Sequence, residues 1–135
     1  MEHSIQHTIL KVGLPLIVTS NKPTLCFLID TGATNNVIFS FAYEHLKSVF
    51  NTIGRYSRIM GVDGETKETA QVEATLSFGN IHTTSIYSVL ESHKAVATIQ
   101  NETGIQIHGI LGIPFLTQNK WLLDFNKLTV KISET

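Results

Sequence analysis

Apolar residues fall along this chain mostly at every second position or in short unbroken runs, and seldom at helical spacing. "TILKV" (8–12) and "PLIVTS" (15–20) are rich in β-branched residues and flank Gly13 and Pro15, which predicts two strands. "SNKPT" (20–24) has the composition of a turn. "LCFLI" (25–29) does not alternate, so a strand covered on both faces is expected, forming a hairpin with the run before it. After "VIF" (37–39), Ser40 is placed to cap a short helix through "FAYEHLK", with Phe41, His45 and Leu46 roughly on one side.

From residue 57 to residue 90 the chain reads as a long β region. Asp63-Gly64 predicts a type I′ hairpin turn and Gly79-Asn80 a second turn. Val72, Ala74, Leu76 and Phe78 alternate with polar residues, the mark of a strand with one wet face. "HKAVATIQNETG" (93–104) fits neither template, and its polar second half reads as a loop. "IQIHGILGIPFLTQ" (105–118) predicts a strand, a glycine-bounded turn and a short helix with Pro114 near its first position. "KWLLDF" and "LTVKI" are two further strands joined by Asn126-Lys127. No linker or repeat divides the 135 residues, so residues 1–135 are expected to form a single domain, mostly β with one or two short helices.

Composition narrows the function classes. With 42% apolar and 16% charged residues, the chain is an ordinary globule and not a disordered one. A net charge of −1 gives no bulk attraction to nucleic acid or to an anionic membrane. No apolar run reaches transmembrane length, and the N-terminus lacks the basic and apolar regions of a signal peptide, so a cytoplasmic location is expected. The single cysteine, Cys26, excludes an internal disulfide and a cysteine-based zinc site; inside an apolar run it reads as a small buried hydrophobe. His3, His7, His45, His82, His93 and His108 fall in no ligand pattern, so neither a metal nor another cofactor is expected. Trp121 reads as core or interface packing.

The chemistry concentrates in "LCFLIDTGATNNVIF" (25–39), where an apolar run ends in Asp30 with no cation beside it. A carboxylate in such a place must be hydrogen-bonded, paired or protonated. Thr31 offers a hydroxyl. Gly32 offers an N–H that can approach closely because no Cβ intervenes.

Asp30-Thr31-Gly32-Ala33 resembles the active-site loop of the aspartic proteases, in the alanine form of the retroviral-type, single-domain branch. Ile110-Leu111-Gly112, eighty residues downstream, is similar to that family's hydrophobic-hydrophobic-Gly segment. The hairpin "IMGVDGETKE", with Met60, Gly61, Val62, Asp63 and Gly64 around its turn, stands where the family has its flap. The resemblance spans roughly residues 8 to 132. The chain departs from the pattern in the charged Asp63 at the flap tip and in Ile113-Pro114 after Gly112.

The resemblance implies a pepsin- or retropepsin-like half-barrel with one flap hairpin, in which residues 110–112 pack beside the Asp30 loop in a ψ-shaped crossing of strands. It also implies an aspartic endopeptidase acting on a polypeptide, with a water activated by two carboxylates about 3 Å apart that share a proton. Only one such loop is present; Asp63 and Asp124 do not stand in an Asp-X-Gly pattern. The second carboxylate is therefore expected to be Asp30 of another copy, in a two-fold homodimer. There Thr31 would bond across the axis and Gly32 would donate its N–H to the carboxylate. The flap would close over an extended peptide, with Met60, Val62 and Ile110 as subsite walls. Because Ala33 carries no hydroxyl to stabilise the charged dyad, an activity optimum at weakly acidic pH is expected. The alternative is a retropepsin-like module that binds peptides or dimerises with little or no turnover.

Overall fold

The computed structural model describes residues 1–60, 64–92 and 94–133. Its elements follow in the order β1 (Glu2–Ser4), α1 (Gln6–Val12), β2 (Leu16–Val18), β3 (Cys26–Ile29), β4 (Val37–Phe39), α2 (Ser40–His45), β5 (Phe50–Met60), β6 (Thr66–Phe78), β7 (Ile81–Leu90), α3 (Lys94–Thr103), β8 (Gly109–Leu111), α4 (Ile113–Asn119), β9 (Leu122–Asp124) and β10 (Thr129–Lys131). Seven strands form one mixed sheet in the order β2-β3-β8-β4-β7-β6-β5, and β1-β10-β9 form a second, antiparallel sheet. Both sheets are open: β2 and β5 end the large one, so its strands do not close into a barrel.

β3 is a central strand for the reason its sequence suggests. It pairs antiparallel with β2 and parallel with β8, and Leu25, Phe27 and Ile29 are buried. The short strand β8 runs between β3 and β4, parallel to the first and antiparallel to the second. This crossing needs Gly109: a Cβ there would lie 2.2 Å from the Val37 carbonyl oxygen and 2.7 Å from the Phe27 ring.

The alternation in β6 is realised, with Val72, Ala74, Leu76 and Phe78 all turned into the core. β7 adds Tyr87, whose ring packs against Phe27 and Phe50 at centroid distances of 6.1 and 6.0 Å. Trp121 meets Phe78 and Phe115 edge-on, each at 5.0 Å, and so packs against the core as expected. The Gly79-Asn80 turn joins β6 to β7. The long β5–β6 hairpin occupies the expected flap position, with a register shift between Thr52 and Tyr56 where Gly54 takes φ +70°. The type I′ turn expected at Asp63-Gly64 involves residues 61–63, which lie outside the described residues.

Three expectations are corrected. Residues 8–12 are helical, within α1, because Ile5, Ile9 and Val12 share one face: Ile5 is buried and the other two pack on the core. The Thr8 hydroxyl donates to the Ile5 carbonyl and accepts the Leu16 N–H, tying α1 to β2, and Gly13 closes the helix at φ +74°. Residues 94–103 form α3 and not a half-loop. Val96 and Ile99 pack inward, the polar residues face water, and Gly104, at φ +75°, donates to the Gln100 carbonyl. The described residues therefore contain four helices, more than the one or two expected. Ser40 is also not a side-chain cap; Phe39 holds the N-cap position and Ser40 is the first helical residue.

Candidate active site

The Asp30 loop begins where β3 ends. The Asp30 N–H donates to the Leu111 carbonyl at 3.0 Å, extending the β3–β8 pairing by one rung. The chain then turns sharply, with the Ala33 N–H donating to the Asp30 carbonyl at 3.2 Å. This turn brings the Gly32 N–H to 2.9 Å from Asp30 Oδ1, the contact expected from the sequence. A Cβ on residue 32 would sit 3.3 Å from that oxygen, so glycine keeps the approach open. Asp30 is half-buried, while Thr31 and Gly32 are exposed. Among the described residues, Gly32 is the sole hydrogen-bond donor to the Asp30 carboxylate.

Ile110, Leu111 and Gly112 support this loop from below. Leu111 is fully buried opposite Ile29, and Ile110 faces Leu28 and Val37 across the two neighbouring strands. Gly112 lies against the loop so closely that a Cβ would fall 2.4 Å from the Asn35 carbonyl oxygen and 2.8 Å from that of Ala33. The Ile113 N–H donates to the Ala33 carbonyl at 2.9 Å, fixing the start of α4 to the same loop.

Asn36 is the supporting residue that sequence reasoning missed. It is buried, and its side-chain oxygen accepts the N–H groups of Gly112 and Phe115, both at 3.1 Å. Its amide donates to the Ile86 carbonyl at 3.1 Å, and its own carbonyl accepts the Ser88 N–H at 2.8 Å. One side chain thus joins the Asp30 loop, the first turn of α4 and β7. The only local hint was a polar Asn placed directly before the apolar run Val37–Phe39. Asn36→Ala removes the acceptor of the buried Gly112 and Phe115 N–H groups. A stability loss of about 1–3 kcal/mol is expected in urea unfolding.

The other singled-out residues divide between two regions. Met60 ends β5 and Gly64 lies just before β6, at the tip end of the hairpin; Gly61, Val62 and Asp63 lie outside the described residues. Asp124 is in the smaller sheet, where its carboxylate accepts the N–H groups of Asn126 and Lys127 and shapes the β9–β10 turn. Cys26 is buried, and burial pushes its thiol up to about 11, so it stays protonated at neutral pH. Among the described residues no group of three or more His, Cys, Asp and Glu side chains could hold a metal ion. No helix among them is long and apolar enough to cross a membrane.

Comparison with known proteins agrees with this geometry. A family model described as aspartyl protease matches residues 16–115, which include both the Asp30 loop and β8. Among solved structures, the chain is similar to the retroviral protease-like domain of Ddi1 from Leishmania major. That likeness has a TM-score of 0.58 at 12% identity and covers 89% of this chain and 90% of that one. It is also similar to the EIAV protease complexed with the inhibitor HBY-793, with a TM-score of 0.56 at 23% identity, covering 78% of this chain and 86% of that one. No curated protein matches it in sequence. With a mostly β, retropepsin-like fold and a family match over most of its length, the chain belongs to the aspartyl protease family.

Proposed function

We propose that the chain is an aspartic endopeptidase that works as a two-fold homodimer, with one Asp30 contributed by each copy. The observation that carries this reading is the state of Asp30 itself. It stands half-buried on a loop braced by β8 and Asn36, with one oxygen held by the Gly32 N–H and no other donor among the described residues. A loop so heavily braced for one carboxylate is a construction for positioning. A single carboxylate cannot both take a proton from water and donate one to a carbonyl in the same step. Two at about 3 Å can, because they share one proton.

In this reading the ionised carboxylate takes a proton from the attacking water while its protonated partner donates to the carbonyl oxygen of the scissile peptide. Water adds to the carbonyl carbon, the C–N bond then breaks, and the leaving amine receives a proton. Thr31 and Ile113, both exposed beside the loop, are placed to meet a second copy; Ile113 offers an apolar contact at the edge of the site. The β5–β6 hairpin covers an extended peptide, with Ile110 as a subsite wall. Incubation of the full chain with a degenerate peptide library is expected to give pepstatin-sensitive cleavage. A protein that dimerises yet cleaves nothing in such a library would overturn the reading.

Ala33 sets the working pH in this scheme. A hydroxyl at residue 33 would donate to the ionised dyad and favour the charged form. Ala33→Ser is therefore expected to move the acidic limb of the pH–activity profile to lower pH. An unmoved profile would show that residue 33 does not face the dyad.

A further inference from the structure

Two cavities among the described residues, of about 430 and 380 Å³, are not lined by Asp30. The larger one opens at the other end of β3, beside Thr24 and Leu25, roughly 13 Å of strand away from the Asp30 loop. Its walls come from α2, α3 and the segment leading into β8. Its volume falls in the range of about 300–1,000 Å³ typical of small-molecule sites.

The lining has a definite chemistry. Phe41, Leu46 and Val96 supply apolar walls, while His108, Gln100 and Gln106 supply polar groups. Among the described residues that line it there is no Asp, Glu, Lys or Arg. His108 is the fixed point. Its Nδ1 accepts the Cys26 N–H at 2.9 Å, and the backbone N–H of His108 donates to the Cys26 carbonyl at 2.8 Å. An Nδ1 that accepts a backbone N–H carries no proton, so the neutral ring holds its proton on Nε2. Burial also holds His108 below its ordinary pKa, which keeps the ring neutral at pH 7. The ring stands 6.0 Å from that of Phe41, and Nε2 has no hydrogen-bond partner among the described residues. The cavity is therefore lined by a ring whose orientation and tautomer the backbone fixes, with its Nε2–H free to donate.

We propose that this cavity binds a small amphipathic molecule: a compact aromatic or branched apolar body bearing one carbonyl-type acceptor, carboxylate or amide. The His108 Nε2–H donates to that acceptor, and the apolar body lies between Phe41, Leu46 and Val96. A cation is disfavoured because no carboxylate lines the site. A purely apolar guest leaves the His108 donor unpaired. The site is separate from Asp30 and does not depend on peptide cleavage.

The test is a titration of the full, isotope-labelled chain, followed by amide NMR, with benzoate, benzamide and toluene as probes. Benzoate or benzamide is expected to shift the amides of Cys26, residues 106–109 and α3 saturably, with a Kd of about 1 mM or tighter. Toluene is expected to bind at least about tenfold more weakly. The better of the two polar probes tells whether the natural acceptor is an anion or a neutral carbonyl. His108→Phe keeps a ring but removes the donor, and should bring the polar probe down to the level of toluene. Ala97→Trp, on the exposed side of α3 at the rim, should weaken binding by a similar factor without disturbing the strands. This second variant decides the matter if His108→Phe does not fold. Binding should persist in Asp30→Asn, which separates this site from the proposed dyad. No saturable shifts, equal affinity for toluene and benzamide, or unchanged binding in Ala97→Trp would each overturn the proposal.

Discussion

Asp30→Asn is expected to abolish peptide hydrolysis while leaving the fold and self-association in place. The amide keeps a side-chain oxygen for the Gly32 N–H at 2.9 Å, so the loop loses no bond it makes within the chain. The substitution removes the ability to accept a proton from water. General acid–base catalysis by a placed group contributes about 10²–10⁴-fold, and here both members of the dyad change together. A fall in kcat/KM of at least about 10³-fold is therefore expected, with thermal unfolding almost unmoved.

A mixing experiment sharpens this prediction. If both copies contribute an Asp30, an equal mixture of wild-type and Asp30→Asn chains redistributes so that about a quarter of the dimers hold two aspartates. The activity of the mixture should fall to about one quarter of that of the same total amount of wild-type protein. A fall to only one half would mean that each copy works alone, and the homodimeric dyad would have to be abandoned.

The candidate site was largely legible because its constraints are local. A carboxylate, the glycine that lets an N–H reach it and the apolar strand before it are consecutive in sequence. The core positions of β6 were equally plain, since a half-buried strand must alternate. What could not be read locally was the bracing. Asn36 reaches partners 50, 76 and 79 residues away, and His108 reaches Cys26 across 82 residues. Nothing in the neighbouring sequence of either residue encodes such partners.

The two misread helices have different causes. In α1 the β-branched composition outweighed a real helical spacing at Ile5, Ile9 and Val12. In α3 the apolar stripe is only Val96 and Ile99 wide, too thin to stand out among polar residues. Neither error touched the site, because α1 lies beside the outer strand β2 and α3 walls the distant cavity.

Gly112→Ala is expected to be among the most damaging single-methyl changes in the chain. The residue has φ −93° and ψ −172°, ordinary extended backbone, so conformational strain is not the cause. The cause is contact. The new Cβ would stand 2.4 Å from the Asn35 carbonyl oxygen and 2.8 Å from that of Ala33. These are backbone atoms, and they cannot rotate aside as a side chain would. The Ala33 oxygen is held by the Ile113 N–H, and Asn36 next to it holds the Gly112 N–H itself. Relief requires the Asp30 loop to move away from β8, at the expense of the Asn36 bonds. A loss of about 3 kcal/mol or more is expected, seen as a fall in Tm of roughly 10 °C. Because the loop that moves carries Asp30, hydrolysis should fail even at temperatures where the variant remains folded. Gly104→Ala supplies the contrast: φ is +75°, but nothing lies within 4 Å of the added Cβ. That change should cost about 1 kcal/mol from left-handed strain alone and leave hydrolysis intact. Equal effects of the two substitutions would show that the packing of Gly112 against the loop does not hold the site in shape.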